Sequence, residues 1–167
     1  MKATIIIDVQ VDFVSGVLGT PEAQAMIPRL VEKLDNDDSD FIFTQDTHKE
    51  NYLDTQEGKL LPIPHCIKGT PGWQIAPEIQ RFTENAQVIE KKTYGTTRIP
   101  TITKKYDKIE LCGLCTDICV ISNALILRAF YPETKIFINS NCCAGSTVEA
   151  HNTALLVMKN CGCTIID

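Results

Sequence analysis

Six short apolar runs rich in β-branched residues recur along the chain, at residues 3–7, 41–44, 87–90, 108–111, 135–138 and 164–166. They are continuous rather than alternating, which is the pattern of strands buried on both faces. Between them, residues 23–34, 75–82, 118–130 and 148–158 repeat their apolar positions at the helical period. Thr20 before Pro21 and Thr147 before Glu149 are suited to cap two of these helices. Strand and helix thus alternate, which predicts a three-layer α/β/α sandwich on a mainly parallel six-stranded sheet, with ligands at the carboxyl ends of the strands. Residues 46–72 interrupt the rhythm with a polar, Gly- and Pro-containing stretch longer than an ordinary connection, the mark of a functional loop.

The length of 167 residues suits one domain, 1–167. With 44% hydrophobic and 22% charged residues the composition is that of a soluble globular protein. A net charge of -5, without a run of basic residues, speaks against nucleic acid as a partner. No segment has the length of a membrane span and the first residues lack the pattern of an export signal. The eight cysteines are therefore expected in a reducing cytoplasm, where thiols are buried, metal-bound or catalytic more often than paired.

The chemistry should lie just after the strands. Asp8 follows the first run and is succeeded by Gln10, Asp12 and Phe13; a carboxylate there is either a general base in a partly desolvated site or a cap on the turn. The second run leads into Asp46 and His48, and His65 follows in the same loop, which so holds two of the three histidines. An Asp-x-His pair can project both ligands to one side of an extended segment, and its N and O donors suit zinc, iron or manganese; Glu57 could complete the shell. The plain alternative is a polar loop hydrogen-bonded to itself. His151, on a late amphipathic segment, reads as a surface residue. Lys91, after the third run, either polarises a nucleophile or belongs with Lys92 to a solvated turn.

The fourth run enters LCGLCTDICV, residues 111–120. Cys112 belongs to the strand, Gly113 permits an unusual turn, Thr116 and Asp117 look like the capping start of a helix, and Cys119 falls in its first turn. There the positive end of the helix dipole would lower a thiol pKa from its usual value of about 8.5. A metal site of three sulfurs lacks a fourth ligand nearby, unless Cys142 or Cys143 supplies one, and a redox pair would not place its first cysteine inside a buried strand. Cys119 is the expected nucleophile.

Taken in order, D-x-Q-x-D-F (Asp8, Gln10, Asp12, Phe13), K-x-x-Y (Lys91, Tyr94) and G-x-x-T-D-x-C (Gly113, Thr116, Asp117, Cys119) resemble the isochorismatase-like cysteine hydrolase superfamily. Asp46 and His48, with His65 and Cys66, match the D-x-H element and the H-C of the W-P-x-H-C block and so are similar to its nicotinamidase branch. The resemblance implies Asp8 as general base, Lys91 as support for the charges and Cys119 as nucleophile, with the N–H groups of Cys115 and Cys119 binding the oxyanion beside a cis bond between Leu114 and Cys115. It implies one divalent metal, zinc before iron or manganese, on Asp46, His48 and His65 with Glu57 as a further ligand, and Phe13 and Tyr94 as substrate contacts. The activity implied is hydrolysis of nicotinamide or pyrazinamide to the acid and ammonia through a thioester, as in NAD salvage, by a homo-oligomer. Two departures stand out. Pro62 and Ile63 occupy the tryptophan and proline positions of W-P-x-H-C, and Gly95, Thr96 and Thr97 follow Tyr94 where the family has S-A-F. An aromatic wall is thereby absent, with Trp73 as the candidate substitute. The main rival is hydrolysis of another small amide, such as an N-carbamoyl or ureido compound, by the same triad; isochorismate hydrolysis would leave the D-x-H element unexplained.

Overall fold

All six runs become strands of one sheet in a computed structural model that describes residues 1–167. They are β1 (Lys2–Ile7), β2 (Asp40–Asp46), β3 (Gln87–Lys91), β4 (Lys108–Leu114), β5 (Lys135–Ala144) and β6 (Thr164–Ile166). Every pairing is parallel, in the order β3-β2-β1-β4-β5-β6. The central strand shows why the apolar pattern is continuous: Ile5 pairs with Ile42 on one side and Leu111 on the other, and Ile5, Ile6 and Ile7 are all fully buried. From β1 the chain builds outward through β2 and β3, then returns to place β4 on the other side of β1. The sheet therefore reverses its order at β1/β4, and the crevice above that point is where ligands of such sheets bind.

The helices are α1 (Val11–Val14), α2 (Pro21–Asp35), α3 (Gln56–Leu60), α4 (Arg98–Thr103), α5 (Ile121–Phe130) and α6 (Val148–Asn160). α2 packs on β5, while α4, α5 and α6 pack in succession on one another. The right-handed rule for parallel crossovers assigns α2 to one face of this strand order and the other three to the opposite face, giving three layers. Thr20 and Thr147 cap α2 and α6 as expected, their hydroxyls accepting the N–H of Ala23 and Ala150 at 3.0 Å. Beneath α2 lies a shielded ion network. Lys33 Nζ is 2.5 Å from Asp37 and 3.0 Å from Glu110, and Lys2 reaches Glu110 at 2.8 Å. No helix is long and apolar enough to cross a membrane.

One expected helix is absent. Residues 75–82 form turns that end in a 3₁₀ segment, Gln80–Thr83, rather than an α-helix. Ile75 bridges Gln10 in antiparallel fashion, with Ala76 N–H donating to the carbonyl of Val9 at 2.9 Å. Pro77 also disfavours helical geometry at Ala76. Ile75, Ala76 and Ile79 are buried by these contacts, at spacings that imitate a helical face.

Candidate active site

The strand ends deliver the site. Asp8 follows β1, Asp46 ends β2 and pairs in register with Lys91 at the end of β3, and the Leu114–Cys115 peptide that ends β4 is cis. β1 and β4 approach so closely here that a Cβ on Gly113 would lie 2.1 Å from the carbonyl oxygen of Ile7; Gly113 itself has φ +119°. Only glycine fits, and its absent side chain lets Asp8 and the Cys115 turn lie side by side.

Asp8 has no exposed surface and adopts a left-handed backbone, φ 47°. Such a conformation costs a non-glycine residue about 1–3 kcal/mol and persists where the surroundings fix it. Here Thr44 Oγ1 donates to Asp8 Oδ1 at 2.7 Å and accepts the Asp8 N–H at 3.1 Å. The other oxygen, Oδ2, has no hydrogen bond of good geometry and faces the Lys91 ammonium at 2.6 Å. Lys91 Nζ also lies 3.3 Å from Asp46 Oδ1 and 3.6 Å from Cys119 Sγ, and donates to the Thr93 carbonyl at 3.1 Å. Lys91 therefore ends a buried strand and belongs to no solvated turn; Lys92 alone is exposed.

These contacts set the protonation states. Burial opposes the charge on Lys91, but Asp8, Cys119 and Asp46 outweigh it and hold the ammonium protonated far into alkaline pH. Burial raises the carboxyl of Asp8 above its usual range, with Lys91 opposing. Burial likewise pushes the Cys119 thiol well up, Asp8 adds to the shift and Lys91 counters it. The acidic thiol expected at a helix start is thus not found. Cys119 sits in a π-helical turn, Thr116–Val120, ahead of α5, where burial is the largest influence on its thiol. Asp8 and Cys119 thus share one ammonium with Asp46, and burial shifts both the carboxyl and the thiol toward their protonated forms.

The turn is fastened differently from a helix cap. Thr116 Oγ1 bonds to His151 Nδ1 at 2.8 Å, so His151 is half-buried against the turn and not a surface residue. Asp117 accepts the N–H and Oγ–H of Ser146 at 2.8 and 2.6 Å. Asn123 Nδ2 donates to the carbonyls of Cys119 and Tyr94, at 2.8 and 3.2 Å, tying the Tyr94 loop to the backbone of Cys119. Cys112 is fully buried in β4, the Cys115 thiol is pushed up to about 12 by burial, and all eight cysteines are unpaired.

Asp46, His48, Glu57 and His65 form the one cluster of three or more ligand-type side chains, their donor atoms all within 4.8 Å of one another. His48 Nε2 is 2.8 Å from Asp46 Oδ2 and 3.5 Å from Glu57 Oε1, while His65 Nε2 is 3.7 Å from each carboxylate. Ligands about 2.0–2.1 Å from a tetrahedral zinc stand about 3.3 Å apart, so the set fits a divalent ion with little movement. The His65 ring bonds through Nδ1 to the Ile63 carbonyl at 2.8 Å, which leaves Nε2 facing the cluster. Burial raises Asp46, but His48 and Lys91 prevail and keep it ionised; Glu57 is raised, chiefly by burial. Sequence order alone did not show how the loop is fastened. Gln10 donates to the Asp46 and Trp73 carbonyls and accepts the Asp46 N–H at 2.7 Å, and Asp12 Oδ2 accepts the Cys66 N–H at 2.7 Å, where φ is 46°. Both residues stand in the amino-terminal motif, which was the available signal.

Cys119 and three of the four donors, Asp46, Glu57 and His65, open on a shared cavity of about 250 Å³. Phe13, Tyr94, Leu18, Leu61 and Ile118 form its apolar walls. Trp73 is not among the lining residues and does not replace the missing aromatic: its indole N–H donates to Thr47 Oγ1 at 2.9 Å and its carbonyl accepts from Gln10 and Gln45. Pro62 is exposed, and Leu61 stands at the wall instead, a substitution no motif announced.

A doubly wound parallel sheet with a thiol, a carboxylate and an ammonium buried at its switch point defines a class, the α/β proteins equipped for nucleophilic chemistry. The chain belongs to the isochorismatase family: the isochorismatase domain matches residues 2–167. It is 30% identical to an isochorismatase family protein of Bacillus subtilis over 95% of this chain and 94% of that one. It is 27% identical to a nicotinamidase of Saccharomyces cerevisiae, covering 83% of this chain and 87% of the relative. Among solved structures it is similar to a pyrazinamidase of Pyrococcus horikoshii in complex with zinc, with a TM-score of 0.81, 26% identity and coverage of 99% and 98%.

Proposed function

We propose that this chain is a metal-dependent amidase that hydrolyses nicotinamide or pyrazinamide to the acid and ammonia. The observation that carries the reading is Lys91 Nζ, set between Asp8 at 2.6 Å and Cys119 Sγ at 3.6 Å beneath a cavity that also exposes the metal donors. Asp8 takes the thiol proton as Cys119 Sγ attacks the amide carbonyl, and Lys91 balances the charge that passes between them. The backbone N–H groups of Cys115 and Cys119 receive the oxyanion; a donor of this kind is typically worth a factor of about 100 to 1,000 in rate. The tetrahedral adduct expels ammonia, which leaves with the proton held by Asp8, and a thioester remains. Asp8 then takes a proton from water, the resulting hydroxide attacks the thioester, and the acid leaves as the thiol is restored.

A divalent ion held by Asp46, His48, Glu57 and His65 would supply a Lewis acid for a ring nitrogen of the substrate, and the N and O donors suit zinc, iron or manganese. Phe13 and Tyr94 supply aromatic surface to the ring. One observation favours a second substrate class: the aliphatic Leu61 on the wall demands no flat ring, so an N-carbamoyl or ureido compound would also fit the cavity. An ammonia-release assay over nicotinamide, pyrazinamide and N-carbamoyl compounds, with and without added zinc, separates the two. Nicotinamide turnover that rises with metal is expected; metal-independent release from carbamoyl compounds alone would replace the first reading with the second.

A further inference from the structure

We propose that Tyr52 is a positioning residue that holds the two histidines of the metal group and the Leu61 wall of the cavity as one unit, an inference that rests on the metal-dependent reading above. Tyr52 lies in a short 3₁₀ turn, Tyr52–Asp54, within the polar loop, yet it is 1% exposed and among the largest fully buried side chains of the protein. Its burial is spent on the site. The phenol ring stands edge-on to both imidazoles, with centroids 4.7 Å from His48 at 62° and 5.0 Å from His65 at 72°; the imidazoles themselves are 4.9 Å apart. Three rings packed in this way leave neither histidine free to rotate without displacing the tyrosine.

The same residue fixes two further parts. Its hydroxyl donates to the Leu61 carbonyl at 2.9 Å, which pins the backbone of the cavity wall. Its own carbonyl accepts the N–H and hydroxyl of Thr55 at 2.9 and 2.6 Å, and Thr55 in turn caps α3 by accepting the Gly58 N–H at 3.0 Å. α3 carries Glu57, and it packs so tightly on the Tyr52 carbonyl that a Cβ on Gly58 would lie 2.1 Å from that oxygen. Ring, hydroxyl and carbonyl thus orient His48 and His65, Leu61, and Glu57 respectively. Tyr52 offers no ligand atom to the cluster, so its influence is exerted through the neighbours it orients.

The test uses the full chain and zinc or cobalt(II) alone as probes, read by chelator competition and by the cobalt absorption bands, together with nicotinamide kinetics. Tyr52→Leu, which keeps apolar bulk but not the ring, is expected to weaken zinc binding by about 10- to 100-fold and to shift the cobalt bands. Tyr52→Phe keeps the ring and loses only the hydroxyl. It is expected to leave the cobalt bands in place and to raise KM by about 2- to 10-fold with kcat retained, the effect of one lost hydrogen bond on the wall. A folded Tyr52→Leu protein with unchanged zinc affinity and unchanged bands overturns the proposal. Should that variant fail to fold, Tyr52→Phe decides, and an unaltered KM overturns it. Wild-type protein that binds neither metal refutes the metal-dependent reading itself, and this proposal with it.

Discussion

Replacing Lys91 with methionine would remove the only cation facing Asp8 while keeping most of the stem's volume. Nζ lies 2.6 Å from Asp8 and 3.3 Å from Asp46, and the side chains of Lys91 and Asp8 are 1% and 0% exposed. At an effective dielectric constant of about 20 these separations correspond to roughly 6 and 5 kcal/mol of attraction, much of it offset by the desolvation of the ammonium. Removing one partner of a buried pair typically costs about 3–5 kcal/mol, which for a chain of this size lowers Tm by roughly 6–20 °C. The reciprocal change, Asp8→Asn, should cost less, because Lys91 keeps Asp46 and the Thr93 carbonyl as partners. The double variant Asp8→Asn/Lys91→Met should therefore recover most of the stability lost in Lys91→Met and none of the amide hydrolysis. A pH series adds a second signature. Without the ammonium, the already raised carboxyl of Asp8 rises further, so the folded state binds a proton that the unfolded chain releases above about pH 4. Stability then falls as pH climbs through the interval up to the folded pKa, and the deficit of Lys91→Met should be larger at pH 8 than at pH 5. Urea unfolding of the four proteins at both pH values supplies the cycle. A loss below about 1 kcal/mol, or strictly additive single changes, would refute the idea that Lys91 and Asp8 form one electrostatic unit.

Cys119→Ala should reduce ammonia release by at least about 10⁴-fold, whereas Cys115→Ala, which keeps the backbone N–H, should stay within about tenfold of wild type; equal losses with release of metal would point to a thiolate metal site instead. Purified protein should carry up to one divalent ion per chain by elemental analysis, and His65→Ala should lose it while retaining its sheet, as judged by circular dichroism; an unchanged metal content would remove His65 from the ligand set. Beneath α2, burial would raise Asp37, but hydrogen bonds from Lys33, Thr4 and the Ser39 N–H outweigh it and hold the carboxyl well below the usual range. This contribution is complete above the unfolded value of about 4 and is lost as pH falls through the folded pKa, so Asp37→Asn should destabilise the protein at pH 7 and much less at pH 2; an equal shift of the urea midpoint at both would falsify the assignment.

The periodic pattern located every strand, because a strand buried on both faces must be apolar at every position, and that requirement is local. It fell short at boundaries. β5 continues through Asn139, Ser140 and Asn141 to Ala144, where polar residues extend a strand already anchored by β4. The pattern failed at residues 75–82, where a tertiary bridge to Gln10 buried the same residues that a helix would have buried. The four-residue α1, five-residue α3 and six-residue α4 are too short to show a period at all.

What the sequence determined by itself was the class of sheet and the identity of the chemistry: residue types at strand ends, in an order that a thiol, a carboxylate and a lysine share with a known family. The tertiary structure decided how those groups behave. Asp8 and Lys91 are 83 positions apart, yet parallel register and the switch at β1/β4 bring them to 2.6 Å. The same closeness buries both Asp8 and Cys119, and that burial raises the thiol, where its place near a helix start suggested an acidic one. Which side chain walls the cavity was likewise settled by packing, through Leu61, and not by any motif. Sequence patterns record what each position must be, but dielectric surroundings and non-local distances are properties of the folded volume, and they alone set the charges with which the site works.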